Sequence, residues 1–108
     1  MKGFPGGGMA QLMKQANQMQ MKMKKLQEDL AQRTYIGTAG GGVVEIKVNG
    51  DHLIQAVKIA PDVFQSGDAD MLQDLLMAAT NDAVRAAKDE HAKEMEKVTG
   101  GLGVPGLF

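Results

Sequence analysis

One hundred and eight residues make a single domain, and 44% hydrophobic with 23% charged residues is ordinary for a soluble globular protein. No apolar run nears the ~18 residues of a membrane span; MKGFPGGGM has a lysine but no apolar core, so no signal peptide is expected; and the lack of cysteine excludes disulfide and thiol chemistry and fits a reducing cytosol. Net charge is -1, yet residues 1–47 hold seven basic against three acidic side chains, a net +4, leaving -5 for the rest, an asymmetry that hints at nucleic-acid contact.

Twelve of the 14 glycines fall in three clusters, at 3–8, 37–42 and 100–106, which divide the chain. The outer clusters predict a flexible arm over 1–8 and a flexible tail over 99–108 around one α-β-β-β-α domain at 9–98. The first predicted helix runs from about Met9 to Arg33. Its apolar positions Met9, Leu12, Ala16, Met19, Met23, Leu26 and Leu30 alternate in steps of three and four, a heptad seam rather than a broad core-facing stripe. Methionine is a flexible filler, so this seam is adaptable.

The middle of the chain reads as antiparallel strands. TYIGTA, Thr34 to Ala39, is a candidate first strand. In GGVVEIKVNGDHLIQAVKIAP two extended runs meet at Asn49-Gly50, a strong hairpin signal. A two-residue turn there pairs Val48 with Asp51, Ile46 with Leu53 and Val44 with Gln55. One face then collects Val44, Ile46, Val48, Leu53, Val57 and Ile59, and the other Val43, Glu45, Lys47, His52, Ile54 and Lys58. One side is core-like and one mixed, as in a sheet covered on one face.

The second long helix is expected to start after QSGD, with Asp68 or Ser66 as its cap, and to stop near Val98 before Gly100-Gly101. Leu72, Leu75, Leu76, Ala79, Ala83, Ala86 and Ala87 form its apolar stripe, whose small residues allow a close neighbour. KDEHAKEMEKV reads as solvated. Helices of these lengths span roughly 37 and 45 Å, whereas short strands reach only about 17 to 20 Å. The helices must overhang their sheet, and an overhanging seam is most simply covered by a second copy under two-fold symmetry. Met19, Met23, Leu26 and Leu30 are the expected interface.

Four blocks in order, LMKQANQMQMKMKKLQEDL, GGGVVEIKVNGD, LQDLLMAATNDAVRAAKDE and VTGGLGVPGLF, resemble the YbaB/EbfC family of bacterial nucleoid-associated proteins over about Ala10 to Leu107. The resemblance implies an α+β fold: a long helix, a three-stranded antiparallel sheet and a long helix, paired as a tweezer-like two-fold homodimer. It also implies a bacterial, cytoplasmic, nucleoid-located protein that binds double-stranded DNA. It carries no DNA-reading motif to particular positions.

From the residues themselves, Lys14, Lys22, Lys24, Lys25 and Arg33 are the candidate phosphate contacts, since cations near a duplex displace condensed counterions. Read blandly, they form a solvated flank paired locally with Glu28 and Asp29. Lys24 and Lys25 point about 100° apart, so one of them faces elsewhere. With two arginines and few aromatics, base reading and single-strand stacking have little to work with, and weak sequence preference is expected. Asp68, Asp70, Asp74 and Asp82 would repel phosphate.

An enzyme is not expected. GTAGGG lacks the Lys-Ser/Thr of a phosphate loop, His52 and His91 lack metal-ligand spacing, and no nucleophile constellation is present. No cofactor, small-molecule substrate or membrane partner is expected. The competing reading is a dimeric protein-interaction scaffold, its methionine seam and apolar GLGVPGLF tail binding other proteins while DNA affinity is incidental.

Overall fold

The computed structural model describes residues 6–102, with side chains for 8–98. Helix α1 spans Gly6–Gln32, followed by strands β1 (Thr34–Ala39), β2 (Val44–Asn49) and β3 (Ile54–Ile59), a short helix α2 (Pro61–Gln65) and the long helix α3 (Ala69–Leu102). The expected order of helix, antiparallel sheet and long helix holds, and β1 coincides with TYIGTA. The chain divides into two units, residues 1–30 and 31–108.

Both long helices exceed their expected ends. Helix α1 begins at Gly6 rather than Met9, and α3 continues through Gly100-Gly101 to Leu102. Glycine in a helix costs about 1 kcal/mol relative to alanine but keeps its N–H, so it weakens the ladder without ending it. Of the segments expected to be flexible, residues 1–5 and 103–108 lie outside the described residues.

The second unit is built on β2. Strand order is β1-β2-β3, both pairs antiparallel. Val44, Ile46 and Val48 of β2 are fully buried against Ala79, Ala83 and Ala87 of α3, with Tyr35, Ala39, Leu72, Leu75 and Leu76 around them. Burying three such side chains contributes about 1.5–3 kcal/mol each. The alanines recur at i, i+4 and i+8, one stripe of the helix, and bring it down close to the sheet. At the closest approach a Cβ on Gly37 would overlap the backbone of Ala79 and Ala83. The small residues of the predicted stripe therefore have the close neighbour they implied.

The hairpin register differs from the expected one. Asn49-Gly50 does not form a two-residue turn, since neither residue has the positive φ that turn requires. Instead the Asn49 side-chain oxygen accepts from the N–H groups of Asp51 (2.9 Å) and Leu53 (3.0 Å), and the N–H of His52 donates to the Asn49 carbonyl. His52 takes the left-handed conformation at φ 67°, and the Asn49 N–H closes the loop on the Leu53 carbonyl. This is a three-residue loop of a turn followed by one left-handed residue.

The pairs become Val44↔Ile59, Ile46↔Val57 and Val48↔Ile54, with Gln55 left over in a bulge. Val57 and Ile59 keep the expected core-side face. Ile54 moves onto it, because the bulge reverses the alternation, and Leu53 falls in the loop. Helix α3 lies across β1 and β2, so β3 from Ile54 to Lys58 stays exposed on both faces.

Helix α2 was not anticipated. Pro61 sits at its first turn behind an extended Ala60, and Asp62 favours its amino end. Ser66 closes it by donating to the Val63 carbonyl, and accepts from the N–H of Asp68. Asp68 then caps α3, its carboxylate accepting from the N–H of Met71 at 3.0 Å.

Candidate nucleic-acid interface

Helix α1 has two opposed sides. At 100° per residue, Lys14, Gln18, Lys22 and Lys25 fall within about 80° of one another, with Gln11 and Gln15 beside them. The seam from Met9 to Leu30 occupies the opposite side. Lys24 lies about 100° from Lys25, so Lys25 shares the basic face and Lys24 flanks it. Lys14, Lys22, Lys24 and Lys25 are all exposed. Among the described residues none of the four is in an ion pair. Lys14 and Lys25 stand about 16 Å apart along the axis.

Two shallow depressions of about 690 and 470 Å³ run along this face and share Gln18. Lysines and glutamines line them together with Ala10, Met21 and Glu28, so the cationic donors share this face with an exposed methionine and one carboxylate. No group of acidic, histidine or cysteine side chains among the described residues could hold a metal ion. No helix of the described residues is long and apolar enough to cross a membrane.

Unlike the four lysines, Arg33 is in an ion pair. Its Nη1 lies 3.3 Å from the Glu94 carboxylate and 3.9 Å from that of Glu90, and the Glu94 contact is a hydrogen bond. Glu90 and Glu94, one helical turn apart on α3, form a fork for the guanidinium. A phosphate would have to displace that fork. The i,i+4 acidic pair was visible in KDEHAKEMEKV, but only the fold shows that it faces Arg33.

The seam residues divide along the helix. Met19, Met23 and Leu26 are half-buried, whereas Leu30 is 3% exposed within the single chain and has little surface left for a second copy. Met9 and Leu12 are exposed. On α3 seven acidic side chains stand against four basic ones, so the positive surface suited to phosphate belongs to α1. Asp82, grouped with the repelling carboxylates, accepts from the backbone N–H of Thr38 at 3.0 Å.

The YbaB/EbfC DNA-binding family model matches residues 6–102. A nucleoid-associated protein of Clostridium novyi is 49% identical over 110 residues, covering 98% of this chain and 96% of that protein. One of Thermoanaerobacter pseudethanolicus is 49% identical over 107 residues with the same coverage. Among solved structures, an uncharacterized protein of Helicobacter pylori superposes with a TM-score of 0.68 at 20% identity, covering 89% of this chain and 98% of that one, a likeness of fold. Matched along nearly its whole length by a family model and by relatives at this identity, the chain belongs to the YbaB/EbfC DNA-binding family.

Proposed function

We propose that the protein is a nucleoid-associated protein that binds duplex DNA as a homodimer, through phosphate contacts from the basic face of α1 and with little sequence preference. The observation that carries this reading is the set of exposed lysines at 14, 22 and 25 on one side of α1, clear of described ion pairs. Family membership and the names of the relatives support it. Lysine grips backbone phosphate as a point charge, and the side that bears these lysines has no aromatic platform. The neighbouring glutamines add neutral donors that tolerate any base sequence.

The test is a gel-shift titration of unrelated duplexes at about 50 and 200 mM salt. Several phosphate contacts cost orders of magnitude in affinity across that range. Replacing Lys14, Lys22 and Lys25 together with glutamine should weaken binding equally on every duplex and flatten the salt dependence. Unchanged retention of the triple variant would defeat the reading. The exposed Met9, Leu12, Met13 and Met21 favour a second reading, a protein-interaction scaffold. It requires salt-insensitive capture of a protein partner, and DNA retention that the lysine substitutions leave intact.

A further inference from the structure

Phosphate contact leaves one side chain on the lysine face of α1 without a use. Met21 is 70% exposed and lies about 20° from Lys14 and 40° from Lys25 around the helix. It lines the same depression as Lys22, Lys24 and Lys25. Met9, Leu12 and Met13 of α1 are exposed too, but they point about 100° or more away from Lys14. Met21 is therefore the one large apolar side chain that the helix turns toward whatever the lysines hold. A lone exposed methionine ordinarily calls for no account; its position among cations supplies one.

We propose that Met21 presses against the carbon surface of duplex DNA in the mouth of a groove, while the lysines hold the phosphates on its rims. This rests on the DNA reading above and adds a contact that salt does not weaken. Lys14 and Lys25 stand about 16 Å apart, enough for the two side chains to reach both rims of a major groove about 12 Å wide. The midline between them carries Gln18 and Met21, both uncharged, about 6 and 10.5 Å from Lys14 along the axis.

Charge favours a helix that crosses the groove over one that follows a single strand. Following a strand would lay phosphates along the uncharged midline, and then on the exposed Glu28 carboxylate about 4.5 Å past Lys25. Crossing leaves the midline over the groove, where charge is not needed. Two carbon surfaces are offered there: deoxyribose, present on every nucleotide, and the C5-methyl of thymine. Methionine is unbranched, with three rotatable bonds, and conforms to either. The contact is thus compatible with little sequence preference.

The experiment is duplex binding by fluorescence anisotropy from about 50 to 200 mM salt, for wild type, Met21→Ala, Met21→Leu and Met13→Ala. Alanine favours the helix and changes no charge. Met21→Ala should bind about three- to tenfold more weakly at every salt concentration, as partial loss of a buried side chain of this size implies. Its log–log salt slope should equal that of wild type, whereas loss of a lysine contact flattens the slope. Met21→Leu should recover most of the affinity. Met13→Ala, removing a methionine 63% exposed but off the face, should match wild type. A duplex with uracil for thymine separates the two carbon surfaces: a smaller Met21→Ala loss there assigns the contact to the methyl, an equal loss assigns it to the sugars, and both uphold it. Wild-type binding by Met21→Ala, while the triple-lysine variant loses retention, overturns the contact and leaves the DNA reading standing. A Met21→Ala loss that comes with a flatter slope, or that Met13→Ala equals, overturns it as well. A wild type that binds no duplex overturns the DNA reading itself.

Discussion

Between Gly37 of β1 and Ala83 of α3 there is no room for a side chain: a Cβ on Gly37 would stand 2.8 Å from the Ala83 Cα and overlap the Ala83 nitrogen and the Ala79 carbonyl oxygen. Replacing a glycine in a strand with alanine ordinarily stabilises by roughly 0.5–1 kcal/mol. Here the sign reverses. Gly37→Ala must lift helix from sheet and should destabilise by about 1–3 kcal/mol, as overpacking does. Urea unfolding should show a lower midpoint with an unchanged slope.

The hairpin loop offers a pair of changes with opposite signs. His52 holds φ 67°, a conformation costing a non-glycine residue roughly 1–2 kcal/mol. His52→Gly removes that cost and adds some freedom to the unfolded chain, for a net gain of about 0.5 kcal/mol. Asn49→Ala removes both side-chain bonds, to Asp51 and Leu53, and should lose about 1 kcal/mol. Thermal melts of the two variants should move in opposite directions.

Arg33 is a cation engaged within the fold, unlike the lysines proposed to contact DNA. Arg33→Gln breaks the contact with Glu94 and should cost at most about 1 kcal/mol, since the pair is partly exposed and screened by salt. The loss should shrink as salt is raised in parallel unfolding titrations. Duplex affinity of the folded variant should stay near wild type.

Within α1, the basic face ranks neighbours. Lys25→Gln should weaken DNA binding more than Lys24→Gln, because Lys25 aligns with Lys14 and Lys22 while Lys24 points about 100° away. Each lost phosphate contact lowers the log–log salt slope by about 0.9, doubled where two copies contribute. Fluorescence anisotropy across a salt series gives both slopes, and equal losses at 24 and 25 would count against a single face.

Much of the fold was legible because its signals were local. Heptad spacing marked α1, TYIGTA marked β1, and the alanines at 79, 83 and 87 announced a close neighbour. The β3 register was not legible. Asn49-Gly50 names two turn geometries, and only the side-chain bonds of Asn49 select the wider one. The bulge at Gln55 then reverses the alternation that assigned Ile54 and Leu53 to faces. Pro61 closes the strand-rich segment in the sequence, and proline followed by aspartate is also the opening of a short helix. At the site, helix periodicity alone groups Lys14, Lys22 and Lys25. The fork that holds Arg33 joins residues 61 positions apart, beyond any local pattern, and the exposed β3 face follows from where α3 lies.

Helix α3 runs past the last alanine that seats it on the sheet, from Ala87 on to Leu102, about 22 Å held on the way by the partly exposed contacts of Glu90 and Glu94 with Arg33. A rigid rod pivoted at a tight seat magnifies rotation: a tilt of about 5° at Ala87 would swing the far tip by roughly 2 Å over that length. Repacking of a single methyl group at the pivot is therefore felt as a displacement far from it, and the alanine stripe sets the aim of the distal end as well as the firmness of the core.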